Sequence, residues 1–289
     1  MNTTRSVLIS GASSGIGKAT ALHLARRGFF VIAGVRREQD GQELESASQG
    51  RLCAISLDIT DPASIDRAWN KVEGLTGKSG LLGLFNNAGI AVAGPVEHVS
   101  ADEWRRQFEV NVIGHVALTQ AMLPLIRRYV AAHGHGSGRI IFTGSISGRV
   151  TLPILGPYAA SKHAIAAIAA ALRQEVRAQG IWVSLLEPGA IQSDIWKKAD
   201  DFIATVGPND PARVLYTRHI EAMIQQTHEG ARSAIPAEHV ARLVEECLTR
   251  SKPKIRTTVG RDAALAATLR WLLGERLFYW MIARAIKIP

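Results

Sequence analysis

Tyr158 and Lys162 stand four residues apart in Tyr158-Ala159-Ala160-Ser161-Lys162, a spacing that sets a phenol and an ammonium on one face of a helix. A phenol with its ordinary pKa of about 10 is a poor base at neutral pH. A neighbouring ammonium favours the phenolate and makes the pair a usable acid/base. Ordinary surface packing on a helix would use the same spacing, so context decides. Ser145 follows the apolar run ending at Thr143, and Asn86-Asn87-Ala88-Gly89 follows Leu81–Phe85. Both therefore stand where a strand ends, the edge at which open parallel sheets bind ligands.

A third segment suits an anion. Ser10-Gly11-Ala12-Ser13-Ser14-Gly15-Ile16-Gly17 joins the run Val7–Ser10 to a helical stretch, Gly17–Arg27. Glycines at a strand-to-helix turn let the backbone approach a pyrophosphate, which then faces free N–H groups and the positive end of the helix dipole. The spacing G-x3-G-x-G departs from the usual G-x-G-x-x-G dinucleotide fingerprint, and a plain glycine turn remains the alternative. Gly11 to Gly15 also fit G-x-S-x-G, the nucleophile elbow of hydrolases. That elbow needs an oxyanion-hole loop from earlier strands, and only ten residues precede Gly11. The second strand ends at Arg36-Arg37, where an acid would bind a ribose hydroxyl and an arginine suits a 2′-phosphate. The expected cofactor is NADP(H), with NAD second; a solvated charge pair opening the next helix is the other reading.

The elements that must position these residues alternate. Val7–Ser10, Phe29–Val35, Leu52–Leu57, Leu81–Phe85, Arg139–Thr143, Trp182–Leu186 and Lys254–Val259 read as seven strands, most of them continuously apolar as doubly covered strands are. Gly17–Arg27, Asp61–Leu75, Asp102–Tyr129, Pro157–Gln179 and Pro236–Arg250 read as helices, the last with Pro236 in its first turn. Such alternation predicts one α/β domain, a doubly wound parallel sheet with helices on both faces. The reading divides the chain into residues 1–260, with a substrate loop about 189–235, and a helical extension, 261–289. The 289 residues are 47% hydrophobic and 20% charged, which excludes a disordered or fibrous chain. Cys53 and Cys247 are too few for a disulfide framework and suggest a reducing, cytoplasmic setting. The N-terminus shows no signal-peptide pattern, and no uncharged stretch near the C-terminus reaches the length of a membrane span.

With these motifs in this order, the sequence resembles the short-chain dehydrogenase/reductase family over nearly its whole length. The match rests on Ser10–Gly17, Asp58, Asn86–Gly89, Asn111, Ser145, Tyr158 with Lys162, and Pro188-Gly189. The resemblance implies a Rossmann sheet in the order 3-2-1-4-5-6-7. It implies Tyr158 as general acid/base, Ser145 orienting the substrate oxygen, Lys162 on the nicotinamide ribose lowering the tyrosine pKa, and Asn111 holding a relay water. Gly11, Ser13, Ser14, Gly15, Ile16 and Gly17 would cradle phosphate, and Arg36 and Arg37 would take the 2′-phosphate. Asp58 and Ile59 would touch adenine, and Asn87, Ala88 and Gly89 the adenine-ribose side. Pro188, Gly189, Ile191 and Ser193 would lie at the nicotinamide. Ser10 and Ser193 replace the usual threonines, and Ser14 replaces an arginine common in NADP-dependent relatives.

Ile191, Ile195, Trp196, Phe202, Ile203 and Val206 on one side, and Val150, Leu152, Ile154 and Leu155 on the other, either wall a hydrophobic pocket or cap the core. As walls they select a bulky lipophilic alcohol, ketone or aldehyde of steroid, retinoid or lipid type. A ketoacyl thioester reductase is the enzymatic alternative, and a dinucleotide-sensing binding protein the non-enzymatic one. Residues 262–288 form an amphipathic, aromatic, basic helix pair that covers the mouth, meets a partner subunit or lies on a membrane surface. Length and tail resemble the retinol and 17β-hydroxysteroid dehydrogenase branch. Alanines 164, 166, 167, 169, 170 and 171 allow subunit pairing, so a homodimer or homotetramer is expected. The net charge of +9 is concentrated late, with +6 in residues 213–289. Charge alone does not make a nucleic-acid partner, and none is expected. His133-Gly134-His135 lacks neighbouring cysteines or acids, so no metal site is expected, and His163 reads as structural.

Overall fold

The computed structural model describes residues 5–192 and 211–286. Seven parallel strands, β1 (Ser6–Ser10), β2 (Phe30–Val35), β3 (Leu52–Ser56), β4 (Gly83–Asn86), β5 (Gly138–Thr143), β6 (Ile181–Pro188) and β7 (Arg256–Val259), form one sheet. Its order is 3-2-1-4-5-6-7, as the motifs imply. Every residue of β1, β2, β4 and β5 is buried, the consequence of helices covering both faces. Register sets the carboxyl edge: Ser10 pairs with Gly34, Asn86 with Phe142 and Thr143 with Leu186. The motif-bearing ends of β1, β4, β5 and β6 thus come out on one edge, and the switch point falls between β1 and β4.

Local chemistry starts and stops the helices. Helix α1 (Gly15–Arg26) follows the glycine loop without a side-chain cap from Ser14. Helix α2 (Glu38–Ala47) opens on Glu38 and Asp40, acids that favour the positive helix end. Helix α3 (Pro62–Thr76) combines proline at its start with an Asp61 cap onto the Ala63 N–H. Helix α4 (Ala101–Phe108), capped by Ser100, runs through a π-helical turn at Glu109–Ile113 into α5 (Gly114–His133). This stretch, 101–133, is the one described helix long and apolar enough to cross a membrane, but α5 packs on β4 and β5. Helix α6 (Gly156–Val176) carries Tyr158 and Lys162. Helices α7 (Pro211–Ser233), α8 (Ala237–Thr249) and α9 (Arg261–Ala285) complete the chain.

Two cores result, one on each sheet face. Leu24, Val31, Leu44, Val240 and Val244 belong to the first, and Leu84, Leu118, Met122, Ile140 and Ile165 to the second. A smaller third cluster joins Ala93, Ile154 and Leu155 to Ile220 and Met223 of α7. Helices α2 and α7 carry too many charges for apolar periodicity to mark them, and Pro236 precedes α8 instead of standing inside it. The long helix read as Asp102–Tyr129 is interrupted at Asn111, because the π turn inserts one extra residue per turn there.

Candidate active site

A cleft opens along the carboxyl edge at the switch point. Its phosphate end is backbone. Gly11 has φ of 65° and so close a neighbour in Ala88 that a Cβ would lie 2.7 Å from the Ala88 Cα. Only glycine satisfies both constraints. Ser13, Ser14, Gly15 and Ile16 line the cleft where α1 begins, and no acid stands in the helix's first turn. Those are the conditions for holding an anion at a helix N-terminus. Gly17 does not reach the cleft; a Cβ there would lie 2.1 Å from the Gly11 carbonyl oxygen. Its part is to let the helix close on the loop, a correction to its reading as a direct phosphate contact.

Side chains lock this loop to the next strand. Ser10 Oγ accepts from the N–H groups of Asn87 (3.0 Å) and Ala88 (3.2 Å). Asn87 Nδ2 donates to the carbonyls of Ser10 (3.2 Å) and Gly11 (3.1 Å), and its Oδ1 accepts from Thr143 Oγ1 (3.2 Å). Asn87, Ala88 and Gly89 line the cleft. Beyond them lie Arg36, Asp58 and Ile59. Burial pushes the Asp58 carboxyl up, but the Thr60 hydroxyl and N–H and the Arg36 charge together hold it below the usual carboxylate range. Arg37 turns away. Its guanidinium makes a two-point pair with Asp40 (3.0 and 2.7 Å), so of the two arginines expected on a 2′-phosphate only Arg36 faces the cleft. The competing carboxylate three residues on is the reason.

Tyr158, Lys162 and Ser145 meet at the other end, all lining the cleft and nearly buried. Lys162 Nζ donates to the Thr143 carbonyl (2.9 Å) and sits 5.6 Å from the centre of the Tyr158 ring. Burial pushes the Tyr158 phenol up, against the pull of the nearby Ser145 hydroxyl. Burial likewise lowers the Lys162 ammonium to about 8. The i, i+4 spacing does bring the pair together, and in the protein alone burial favours the neutral phenol. Pro188, Gly189 and Ile191 complete this end; Ser193 lies outside the described residues.

Asn111 is behind the wall, not on it. Its Oδ1 accepts from the Ile90 N–H (2.9 Å) while its Nδ2 donates to the Ile90 carbonyl (3.0 Å) and to Ser161 Oγ (3.2 Å). Both amide hydrogens are taken, so its side chain fixes segment 86–90. Several neighbours escaped sequence reasoning. Gln107 reinforces Asn111 by bonding to Ile90, Val92 and Ser161. His115 is fully buried on the Ala88 carbonyl (2.8 Å), and burial, then Lys162, push it down to about 3, so it is neutral. Glu187, also fully buried, pairs with Arg149 (2.7 Å) and Arg256, tying the Ser145 segment to β6 and β7. Asp262 of α9 accepts from the Ala190 N–H (3.1 Å) beside the Pro188-Gly189 turn. These partners lie tens of residues apart, and nothing local in the sequence marks them.

The remaining expected features have plainer placements. Val150, Ile154 and Leu155 are buried, the last two against α7, and none of them lines the cleft. Ile195, Trp196, Phe202, Ile203 and Val206 lie outside the described residues. His133 stacks on Tyr129, and His163 bonds to the Ala159 carbonyl. Among the described residues no group of three or more His, Cys, Asp or Glu could hold a metal. The Gly11–Gly15 elbow of the hydrolase reading follows β1, the third of seven strands in the sheet order, with Ser13 facing the dinucleotide-type cleft.

Comparison with known proteins agrees with this geometry. The short chain dehydrogenase family profile matches residues 5–203. An NADPH-dependent 3-dehydrocapnine reductase of Ornithobacterium rhinotracheale is 34% identical, covering 98% of each chain. Human retinol dehydrogenase 5 is 31% identical, covering 96% of this chain and 89% of its own. A short-chain dehydrogenase structure from Streptomyces avermitilis aligns over 99% of both chains with a TM-score of 0.78 and 28% identity. The chain belongs to the short-chain dehydrogenase/reductase family of NAD(P)-dependent oxidoreductases, in its retinol-dehydrogenase-like branch.

Proposed function

We propose that the protein interconverts a lipophilic ketone or aldehyde and its alcohol, with NADP(H) preferred and Tyr158 as the proton donor and acceptor. The observation that carries the reading is the joint placement of Tyr158, Ser145 and Lys162 at one end of a cleft whose other end is the glycine loop. The residues present fit a dinucleotide: the helix end is free of acids, and the cradle admits no Cβ at Gly11. Bound there, the nicotinamide supplies or takes a hydride. Ser145 Oγ would hold the substrate oxygen. Tyr158, kept protonated by burial, would deliver its proton to that oxygen in reduction. Lys162, anchored on Thr143, would hold the ribose and refill the tyrosine.

Arg36 on the cleft wall, with no acid at the end of β2, supports NADP(H), as does the relative named as NADPH-dependent. The relative named as a retinol dehydrogenase supports a lipophilic substrate. Tyr158→Phe is the test. It removes the transferable proton, so kcat should fall by about 100- to 10,000-fold, while the NADPH dissociation constant measured by fluorescence stays within a factor of about three. Undiminished turnover would refute the role.

A further inference from the structure

Helix α9 is apolar on two sides at once. It consists of two segments hinged at Gly274, whose φ of 67° breaks the helix. One side is held by the protein: Phe278 is buried, Tyr279 Oη accepts from the Thr151 N–H (3.2 Å), and Asp262 binds Ala190. The helix is therefore fixed to both the nicotinamide turn and the segment that leads into Tyr158. The opposite side faces outward with Leu265, Trp271 and Leu272 before the hinge and Leu277, Trp280 and Met281 after it, Trp271 being 81% exposed and Trp280 54%. A helix apolar all round is normally covered all round, and clustered exposed apolar side chains mark a contact surface.

The charges indicate what covers it. Asp262 is occupied by Ala190, and Glu275 is paired with Arg270. Arg261, Arg276 and Arg284 have no ion pair among the described residues, and Arg284 lies over the Trp280 ring, 4.9 Å from its centre. Exposed indoles interleaved with unpaired guanidiniums suit the interfacial layer of a membrane, where the ring sits among headgroups and the cation meets anionic lipid. We propose that the outer face of α9 is a peripheral docking surface for an anionic lipid bilayer. A second copy of the chain would bring its own arginines against these, like charge on like.

Sedimentation with vesicles tests this, using phosphatidylcholine alone and an equal mixture of phosphatidylcholine and phosphatidylglycerol. The wild-type chain should pellet with the mixed vesicles, weakly with the neutral ones, and lose binding as salt rises. Trp271→Ala with Trp280→Ala should weaken binding about tenfold or more, and Arg276→Gln with Arg284→Gln should remove the preference for the anionic vesicles. None of these four side chains lines the cleft, so NADPH binding and the melting temperature should stay unchanged and report a folded protein. Failure of the wild type to pellet with mixed vesicles, or equal pelleting of the tryptophan variant, would overturn the proposal. So would a fall in mass by light scattering in that variant, which would make the face a subunit interface.

Discussion

The two ends of the molecule's working surface are built from different materials. At the phosphate end, the contacts are backbone and short polar side chains locked to one another: Ser10, Gly11, Asn87 and Thr143 bond across three strands. Behind the other end, set back from the cleft lining, apolar side chains from loops and late helices pack on one another, with Ile154 and Leu155 against Ile220 and Met223. The first arrangement tolerates almost no change, because moving one strand end disturbs the next. The second can be resurfaced by substitutions that leave the sheet untouched. One scaffold can thus keep its cofactor and vary its substrate.

Substitutions on each side sharpen that contrast. Gly17→Ala should have the largest effect. Its Cβ would meet the Gly11 carbonyl at 2.1 Å, so α1 must shift, at a cost of about 3 kcal/mol or more. NADPH titration should show binding weakened about 100-fold; unchanged affinity would deny the loop its rigidity. Arg36→Ala comes next. Loss of a charge-assisted contact of about 1.5–3 kcal/mol should raise the KM for NADPH by about 10- to 100-fold and leave NADH unaffected. Equal loss with both cofactors would mean that Arg36 only shapes the fold. Met223→Ala on α7 should be mildest for the cofactor half. Removing this buried side chain should cost about 2–3 kcal/mol in denaturant melts and change the substrate KM several-fold. A shift in the NADPH KM instead would erase the distinction between the two ends.

Much of the cleft lining at both ends was legible in the sequence, because its chemistry needs particular residue types at strand ends and helix starts. The glycines, Asn87 and Tyr158 with Lys162 are such cases, and the strand order followed from the family resemblance. Arg37 was misread because its Asp40 partner is a local competitor whose geometry only the helix start of α2 defines. Asn111 was placed in the right helix, but the π turn that rotates it behind segment 86–90 leaves no compositional trace. Glu187 looks in sequence like a lone acid in an apolar strand; Arg149 and Arg256 reach it only once β6 and β7 pair. Spacing brings Lys162 to Tyr158, but the burial that pushes the phenol up leaves no mark in the spacing.

The decisive step is the proposed hydride transfer between NADPH and a lipophilic carbonyl. It is tested most directly by following absorbance at 340 nm with NADPH and, in parallel, NADH, over a panel of steroid, retinoid, long-chain aliphatic and sugar carbonyls. The expected result is turnover of at least one lipophilic ketone or aldehyde, faster with NADPH, and of none of the sugars. Cofactor binding without turnover of any lipophilic member, or equal efficiency with NADH, would contradict it.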